Sequence, residues 1–263
     1  MIKNRKETLL LALLFVFLFA LNYSFLDGKL QIFLSNPEKI QVMVERVIDG
    51  DTFKTENDTI RMLGINTPER NEKYYAEAKD FLNDKIANKN VKIEFGKEKK
   101  DLYGRTLAYV FLGNENINLG LVESGLANFY FPSGKDKNYG ELKEAWEKCI
   151  EKNTNLCEKS KDICRECVSL EDFDTKSQKV VLRNTCTFSC EITNWEIKDE
   201  GRKKFIFPKM ILESQKKINV ITGNKSDYGE NLFWKGEDYV WTRSGDTLFL
   251  RDEEGKLVLC KNY

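Results

Sequence analysis

The chain has 263 residues, and its 42 basic and 42 acidic side chains leave no net charge that would draw nucleic acid to the whole surface. It contains no histidine, which excludes catalytic triads and metal sites built on imidazole. A hydrolytic site in this chain therefore needs carboxylates, arginines and a metal ion.

Residues 1–28 have the composition of a targeting segment. Lys3, Arg5 and Lys6 precede an unbroken apolar block at 9–21, the pattern of a signal peptide or an N-terminal membrane anchor. The block is shorter than the roughly 20 residues of a full span. No small-x-small cleavage motif follows it, which favours an uncleaved anchor. In either case the positive-inside rule predicts that the rest of the chain lies outside the cytoplasm, membrane-anchored or secreted.

Residues 39–160 predict a strand-rich first domain. Alternating apolar residues predict strands, and helical spacing predicts helices. The predicted strands are 40–48, 52–55, 59–65, 91–95 and 105–112, and the predicted helices are 72–89, 117–124 and 139–152. Five strands with a helix between the third and the fourth are typical of a small Greek-key barrel of the OB type.

Residues 167–263 predict a second domain without a long helix, after a charged connector at 158–166. Its predicted strands are short and separated by turn residues: 180–182, 195–198, 205–207, 217–221, 247–251 and 257–260. This spacing indicates an immunoglobulin-like β-sandwich of about a hundred residues. The predicted fold class is therefore mainly β with α: an OB-type barrel with helices, followed by a sandwich.

Side chains able to carry chemistry occur in the first domain at Asp49–Thr52, Arg61, Asn66–Glu69 and Tyr103–Arg105. Carboxylate, amide and backbone carbonyl oxygens are the ligands that calcium prefers. Arginine forks bind phosphate and its transition state bidentately. Taken singly, Asp51 is explained as an aspartate of a turn and Glu69 as a charge at the amino terminus of a helix. The joint presence of the acids, the amide and both arginines favours catalysis.

The order of motifs in residues 44–160 resembles the staphylococcal nuclease (thermonuclease) family. The matching segments are VIDGDTF, RMLGINTPE, EAKDFL, DLYGRTLAYVF and LVESGLANF. Residues 167–263 resemble a lamin-tail domain through VVLRNT, ITNWEIKDEGRKKFIFP, INVITG and SGDTLFLRDEEGKLV. The second resemblance implies a fold and says little about chemistry.

The first resemblance implies a calcium-dependent nuclease that leaves 3′-phosphates. It assigns calcium binding to Asp51, Asn66 and the backbone carbonyl of Thr67, activation of the attacking water to Glu69, and phosphate binding to Arg61 and Arg105.

The chain departs from the resemblance at Asn66, where the family usually has aspartate. The site then has one negative charge fewer, which predicts calcium binding weaker by about one to two orders of magnitude. Tyr103 is expected either to stack on a nucleotide or to pack as a rim aromatic. Asp49 and Asp101 are expected to support Asp51 and the arginine loop.

The seven cysteines predict disulfides outside the cytoplasm. Local spacing suggests Cys149–Cys157 and Cys186–Cys190, Cys167 could meet Cys260, and the odd total leaves one thiol. A zinc site built from the close pairs Cys164/Cys167 and Cys186/Cys190 is the alternative.

The expected substrates are DNA and RNA, single-stranded or melted first, because a shallow groove reads phosphate and stacked bases. The basic run Arg202–Lys204, with Lys209, Lys216 and Lys217 beyond it, is either a solvated hairpin or a surface for a nucleic-acid strand or another polyanion near the site. The sequence does not identify a partner for the second domain. The rival hypothesis is a catalytically weak or inactive nucleic-acid-binding or cell-surface interaction protein.

Overall fold

The computed structural model describes residues 39–263 together with four positions near the amino terminus, Leu9, Leu11, Leu14 and Phe15. Apart from these four, the predicted anchor or signal segment at 1–28 lies outside the described residues. None of the helices that the structure describes is both long and apolar enough to span a membrane. Residues Ile40–Tyr263 form one compact unit.

The first half of this unit contains nine strands. They are β1 (Lys39–Met43), β2 (Arg46–Asp49), β3 (Thr52–Lys54), β4 (Thr59–Met62), β5 (Ile65–Asn66), β6 (Asn90–Lys100), β7 (Thr106–Leu112), β8 (Glu115–Asn116) and β9 (Asn128–Phe129). The main sheet has the order β1-β6-β7-β4-β3-β2 with β8 beside β7, and β5 pairs with β9. No closed barrel is found among the described strands, so the five-stranded OB-type arrangement is not confirmed.

The predicted strand at 40–48 is two strands. Val44 and Glu45 leave the ladder, because the Val44 amide donates to the Lys89 carbonyl and the Glu45 amide donates to the Lys54 carbonyl. As a result β1 and β2 end on opposite edges of the sheet.

Three α-helices cover this sheet: α1 (Tyr75–Ile86), α2 (Ile117–Glu123) and α3 (Tyr139–Lys152). Helix α1 is shorter than the predicted 72–89 because Tyr74 and Asn88 adopt left-handed backbone angles, with φ of 69° and 56°, which interrupt a right-handed helix. The Asn116 side chain accepts hydrogen bonds from the backbone amides of Asn118 and Leu119 and so caps the amino terminus of α2. Helix α3 has the predicted bounds.

The second half contains ten strands. They are β10 (Val168–Asp174), β11 (Lys179–Asn184), β12 (Cys190–Glu191), β13 (Glu196–Lys198), β14 (Lys204–Ile206), β15 (Ile211–Leu212), β16 (Lys217–Thr222), β17 (Asn231–Trp234), β18 (Thr247–Arg251) and β19 (Leu257–Asn262). They form the sheets β10-β11-β16-β17 and β14-β13-β18-β19 and the pair β12-β15. Two four-stranded sheets over a core that includes Trp195 and Trp241 are consistent with the predicted immunoglobulin-like sandwich.

The apolar core of the first half continues into the second. Phe249 on β18 and Leu257 on β19 belong to the same buried cluster as Phe53, Leu82 and Trp146. The rings of Trp146 and Phe249 meet edge to face with centroids 5.5 Å apart, a favourable aromatic geometry. This shared packing fixes the position of the second half against the first.

The cysteines form three disulfides, Cys149–Cys157, Cys164–Cys190 and Cys167–Cys186, and Cys260 is a free thiol. The first pair is as predicted. The predictions Cys186–Cys190 and Cys167–Cys260 are wrong. The pairing of β10 with β11 places Cys167 beside Cys186, where the Thr185 amide donates to the Cys167 carbonyl. Spacing along the chain does not reveal this contact.

Candidate active site

The turn between β2 and β3 places Asp51 inside the protein. Gly50 permits this close packing, because a Cβ at that position would lie 2.7 Å from the Cβ of Ala78 on α1 and 2.9 Å from Thr67 Oγ1. Close packing against Ala78 and Thr67 therefore requires glycine at position 50 of the sequence motif. It brings the carboxylate of Asp51 to the segment that follows β5.

Four donors surround the carboxylate of Asp51. Oδ2 accepts the Thr67 amide at 3.0 Å and the Thr67 hydroxyl at 2.9 Å, and lies 3.1 Å from Arg61 Nη2. Oδ1 accepts the Thr52 hydroxyl at 3.0 Å. A buried charge requires hydrogen-bond and ion-pair partners, and the Asp51 carboxylate has them.

Arg61 lies on β4, is buried, and joins Asp51 to Asn66. Its Nη2 donates to Asn66 Oδ1 at 3.1 Å while it pairs with Asp51, and its Nη1 donates to the Met62 carbonyl at 2.8 Å. Asp51 Oδ2 and Asn66 Oδ1 therefore converge on one nitrogen. The Thr67 carbonyl accepts no hydrogen bond from any residue between 39 and 263. Converging carboxylate and amide oxygens next to an unused carbonyl fit a hard divalent cation such as calcium.

Asp49 lies beside this cluster on β2. Its Oδ1 accepts the Asp51 amide at 3.3 Å. Burial and the neighbouring charge of Asp51 raise the pKa of the Asp49 carboxyl. Asp49 therefore contacts the backbone of Asp51, and its supporting role stays a prediction.

Glu69 lies in the turn before α1, outside the Asp51–Arg61–Asn66 cluster. Its amide donates to Glu72 Oε2 at 2.9 Å, and its Oε1 lies 2.6 Å from Nε of Arg202. Among the described residues, no hydrogen bond or ion pair links the Glu69 carboxylate to Asp51 or Arg61. Its side chain is half exposed, as a group that meets water and substrate needs to be.

Arg105, Asp101 and Tyr103 form a separate group in the loop between β6 and β7. Arg105 Nε donates to Asp101 Oδ2 at 2.6 Å, and Asp101 Oδ1 accepts the amides of Tyr103 and Arg105. Burial opposes ionisation of Asp101, but these hydrogen bonds outweigh it and lower the pKa of its carboxyl. The Tyr103 ring is 86% exposed and its centroid lies 5.5 Å from the Arg105 guanidinium carbon.

Sheet register relates this loop to Arg61. Strands β4 and β7 are parallel, and Arg61 pairs with Leu107. Side chains of a strand alternate between its faces, so residues two apart share a face. Arg105 therefore enters β7 on the face that carries Arg61, although no hydrogen bond or ion pair within 39–263 joins Arg105 to the cluster.

A loop of the second half reaches this site. We call residues 199–203, between β13 and β14, the capping loop. Asn66 Nδ2 donates to the Gly201 carbonyl at 2.9 Å, and Asn128 Nδ2 donates to the Glu200 carbonyl at 2.8 Å. The Phe131 amide donates to Glu200 Oε2 at 3.1 Å. The sequence marked only the basic run that begins at Arg202, and these contacts with a site residue were not anticipated.

Acidic groups of the capping loop are buried beside Asp246. Burial and the charge of Asp246 raise the pKa of Asp199 to about 7. Burial raises the pKa of Glu200 to about 7, although the hydrogen bond that Glu200 accepts from the Thr247 hydroxyl lowers it. The pKa of Asp246 is also raised, chiefly by burial. These carboxyls hold protons more tightly in the folded protein than in the unfolded chain.

Comparison with known proteins identifies both halves. Residues 59–159 match the staphylococcal nuclease homologue family, and residues 166–261 match the lamin tail domain family. The thermonuclease of Staphylococcus hyicus is 39% identical over 132 residues, which are 46% of this chain and 78% of that protein. The thermonuclease of Staphylococcus intermedius is 36% identical over 127 residues, 44% of this chain and 76% of that protein. Endonuclease YncB of Bacillus subtilis is 34% identical over 99 residues, 34% of this chain and 47% of that protein. The chain belongs to the staphylococcal nuclease family and carries a lamin tail domain after its nuclease segment.

Proposed function

We propose that this protein is a calcium-dependent nuclease that hydrolyses phosphodiester bonds of DNA, RNA or both and leaves 3′-phosphates. The observation that carries the proposal is the convergence of Asp51 Oδ2 and Asn66 Oδ1 on one nitrogen of Arg61. Both oxygens lie within reach of one cationic nitrogen, and a calcium ion would take the same two oxygens as ligands when Arg61 binds a phosphate. Membership in the nuclease family and the names of its relatives support the same reaction.

In this proposal Asp51, Asn66 and the Thr67 carbonyl hold the calcium ion. When bound, the ion supplies Lewis-acid polarisation of the phosphoryl oxygens. The Thr67 amide and hydroxyl hold the Asp51 carboxylate in place. The side chain of Arg61 is fixed at the Met62 carbonyl, so its guanidinium meets the substrate without a large loss of side-chain entropy.

Glu69 acts on the attacking water. Its carboxylate is accessible and is not engaged by the Asp51 cluster, so it can orient a water molecule towards phosphorus and accept a proton. Arg105 faces the substrate from the neighbouring loop, where Asp101 engages Nε and leaves the outer nitrogens for phosphate oxygens. The exposed ring of Tyr103 offers a stacking surface for a base.

We further propose that the protein works outside the cytoplasm, membrane-anchored or secreted. The positive segment and apolar block at 1–21 support this location. Three disulfides among the described residues are also typical of an oxidising compartment.

One observation favours the rival function, a binding protein with little or no activity. Arg61 is paired with Asp51, and Glu69 with Arg202, so a catalytic base and a phosphate ligand both have protein partners. Under this alternative the protein binds nucleic acid without cutting it.

A digestion series separates the two functions. Purified protein is incubated with single-stranded DNA, duplex DNA and RNA, each with calcium and with a chelator, and the product ends are identified by mass spectrometry. We expect calcium-dependent cleavage, fastest on single strands, with 3′-phosphate ends. Binding of all three polymers without cleavage in calcium would favour the rival.

A further inference from the structure

We propose that Arg202 of the lamin tail domain is a substrate-binding residue of the nuclease site, and that the Gly201 carbonyl next to it positions Asn66. The inference rests on the proposed function, because it adds a phosphate ligand to the site that performs it. It gives the lamin tail domain a part in binding the nucleic acid that the nuclease segment cleaves.

The first argument is the position of the Arg202 guanidinium. Its Nε lies 2.6 Å from Glu69 Oε1, beside the group that is proposed to act on the water. Its two outer nitrogens contact no hydrogen-bond or ion-pair partner among residues 39–263. A guanidinium held through Nε has its outer nitrogens available for the paired oxygens of a phosphate.

The second argument is that the backbone of the capping loop is fixed. Asn66 and Asn128, both buried, donate to the carbonyls of Gly201 and Glu200, and the Phe131 amide donates to the Glu200 carboxylate. Three hydrogen bonds to buried groups hold the loop against the nuclease segment. The loop is therefore a permanent wall of the site and does not need to be ordered by substrate.

The third argument is that the Arg202 side chain is exposed enough to change partners. The Arg202 side chain is 62% exposed and that of Glu69 is 46% exposed. Exposed ion pairs contribute little to stability. A negatively charged phosphate can therefore replace Glu69 as the partner of Arg202 at little cost in free energy. An ion pair that kept Glu69 inactive would have to be buried.

The fourth argument is that the other basic residues near the capping loop have structural partners. Lys198 and Lys204 pair with Glu72, and Lys203 pairs with Glu237 and donates to the Tyr239 carbonyl. Arg202 alone among the four points to a residue of the proposed site. Arg202 therefore adds a basic group beside Glu69 that the other residues of the basic run do not supply.

Asn66 has a second role in this arrangement. Its Oδ1 faces Arg61 while its Nδ2 donates to Gly201. Only an amide can do both, because a carboxylate has no hydrogen to donate to the carbonyl. The Gly201 carbonyl thus fixes which atom of Asn66 points to the metal position.

Kinetics of Arg202 variants of the full chain on a single-stranded DNA oligonucleotide test the inference. We expect Arg202→Ala to raise KM about tenfold and to change kcat less than threefold, as for loss of one charged hydrogen-bond donor. Arg202→Lys should recover part of the loss. Lys225→Ala removes an exposed basic residue of the same domain from the loop between β16 and β17, in the sheet that does not carry the capping loop, and should match the wild type.

The salt dependence of binding provides a readout that a merely structural role would not change. Affinity for a fluorescent single-stranded oligonucleotide is measured in chelator at several salt concentrations. Loss of one phosphate contact should lower the slope of log K against log salt by about 0.7. This arm requires no cleavage, so an inactive wild type would refute the proposed function while still testing Arg202.

Three results would overturn the inference. An unchanged KM and salt slope in Arg202→Ala would make the residue a solvated surface group. A raised kcat in that variant would make it an inhibitory latch on Glu69. A lowered melting temperature with parallel loss in Arg202→Lys would make it a structural residue.

Discussion

Asn66 Nδ2 donates a hydrogen bond to the carbonyl oxygen of Gly201 at 2.9 Å, across a separation of 135 residues. The contact joins the proposed metal site to the lamin tail domain. It also gives a physical reason for an amide at a position where the family usually has a carboxylate.

The substitution Asn66→Asp should therefore have two opposite effects. Calcium should bind about ten- to a hundredfold more tightly, because the site gains a negative charge. Without calcium the free energy of unfolding should fall by about 1–3 kcal/mol, since the buried Gly201 carbonyl loses its donor. Calorimetric titration and urea denaturation in chelator measure the two effects.

Asn128→Asp is the matched control for this substitution. It removes the equivalent bond to the Glu200 carbonyl and adds the same charge opposite Asn66 in the β5-β9 pair, without changing an oxygen of the proposed calcium ligands. The control should lose stability and gain less calcium affinity than Asn66→Asp. Unchanged or weaker calcium binding in Asn66→Asp would remove Asn66 from the ligand set.

Asp51→Asn should destabilise the protein even without metal. Arg61 is buried, and the substitution removes the charge that it pairs with at 3.1 Å. Breaking a buried ion pair from one side typically costs about 3–5 kcal/mol. Urea denaturation in chelator measures the loss, with Asp49→Asn as a control that leaves the pair intact. A loss below about 1 kcal/mol would show that Arg61 does not depend on this carboxylate.

Stability should fall as pH rises from about 5 to 8. The folded-state pKa values of Asp199 and Glu200 are about 7, above the roughly 4 of unfolded carboxyls. Between these limits the folded protein binds more protons than the unfolded chain, so raising the pH favours unfolding. Each unit of pKa shift corresponds to about 1.4 kcal/mol.

The charged and polar groups around these two carboxyls set the size of the effect. Asp246 raises both pKa values, and the opposing groups are Lys198, Lys203, the Thr247 hydroxyl and the Phe131 amide. Asp199→Asn, which keeps the oxygen that accepts the Lys203 amide, should flatten the decline. Chemical denaturation at several pH values tests this. A stability that is constant or rises from pH 5 to 8 would contradict the assignment.

Thiol titration tests the disulfide pattern. Of the seven cysteines, only Cys260 should react in denaturant without reductant, and all seven after reduction. Peptide mapping should join Cys164 to Cys190 and Cys167 to Cys186. Release of one zinc ion together with four additional thiols would instead support the zinc alternative.

Patterns in the local sequence were sufficient to predict many of the helices and strands. The charged amphipathic pattern at 139–152 predicted α3 with its observed bounds, and a short run between turn residues predicted β18 with its bounds. Helix α1 was predicted too long, because left-handed angles at Tyr74 and Asn88 leave little mark on apolar spacing. The break in the strand at 40–48 depends on hydrogen bonds to Lys54 and Lys89, which are set by tertiary structure.

The site was predictable in part for the same reason. The residues that the motifs singled out around Asp51 do meet, since short turns and neighbouring strands bring them together. The contact of Glu69 with Arg202 and that of Asn66 with Gly201 join segments far apart in the chain. No local pattern encodes such contacts. The predicted pairs Cys186–Cys190 and Cys167–Cys260 are wrong for the same reason.

Calcium-dependent digestion of single-stranded DNA by the wild type and Glu69→Gln tests the central claim most directly. Glutamine keeps the oxygen that faces Arg202 and removes the carboxylate that acts on the water, so folding and binding should persist. We predict cleavage by the wild type that chelator abolishes, and a kcat at least a hundredfold lower in the variant. Equal cleavage by both proteins, or none by either, would contradict the account.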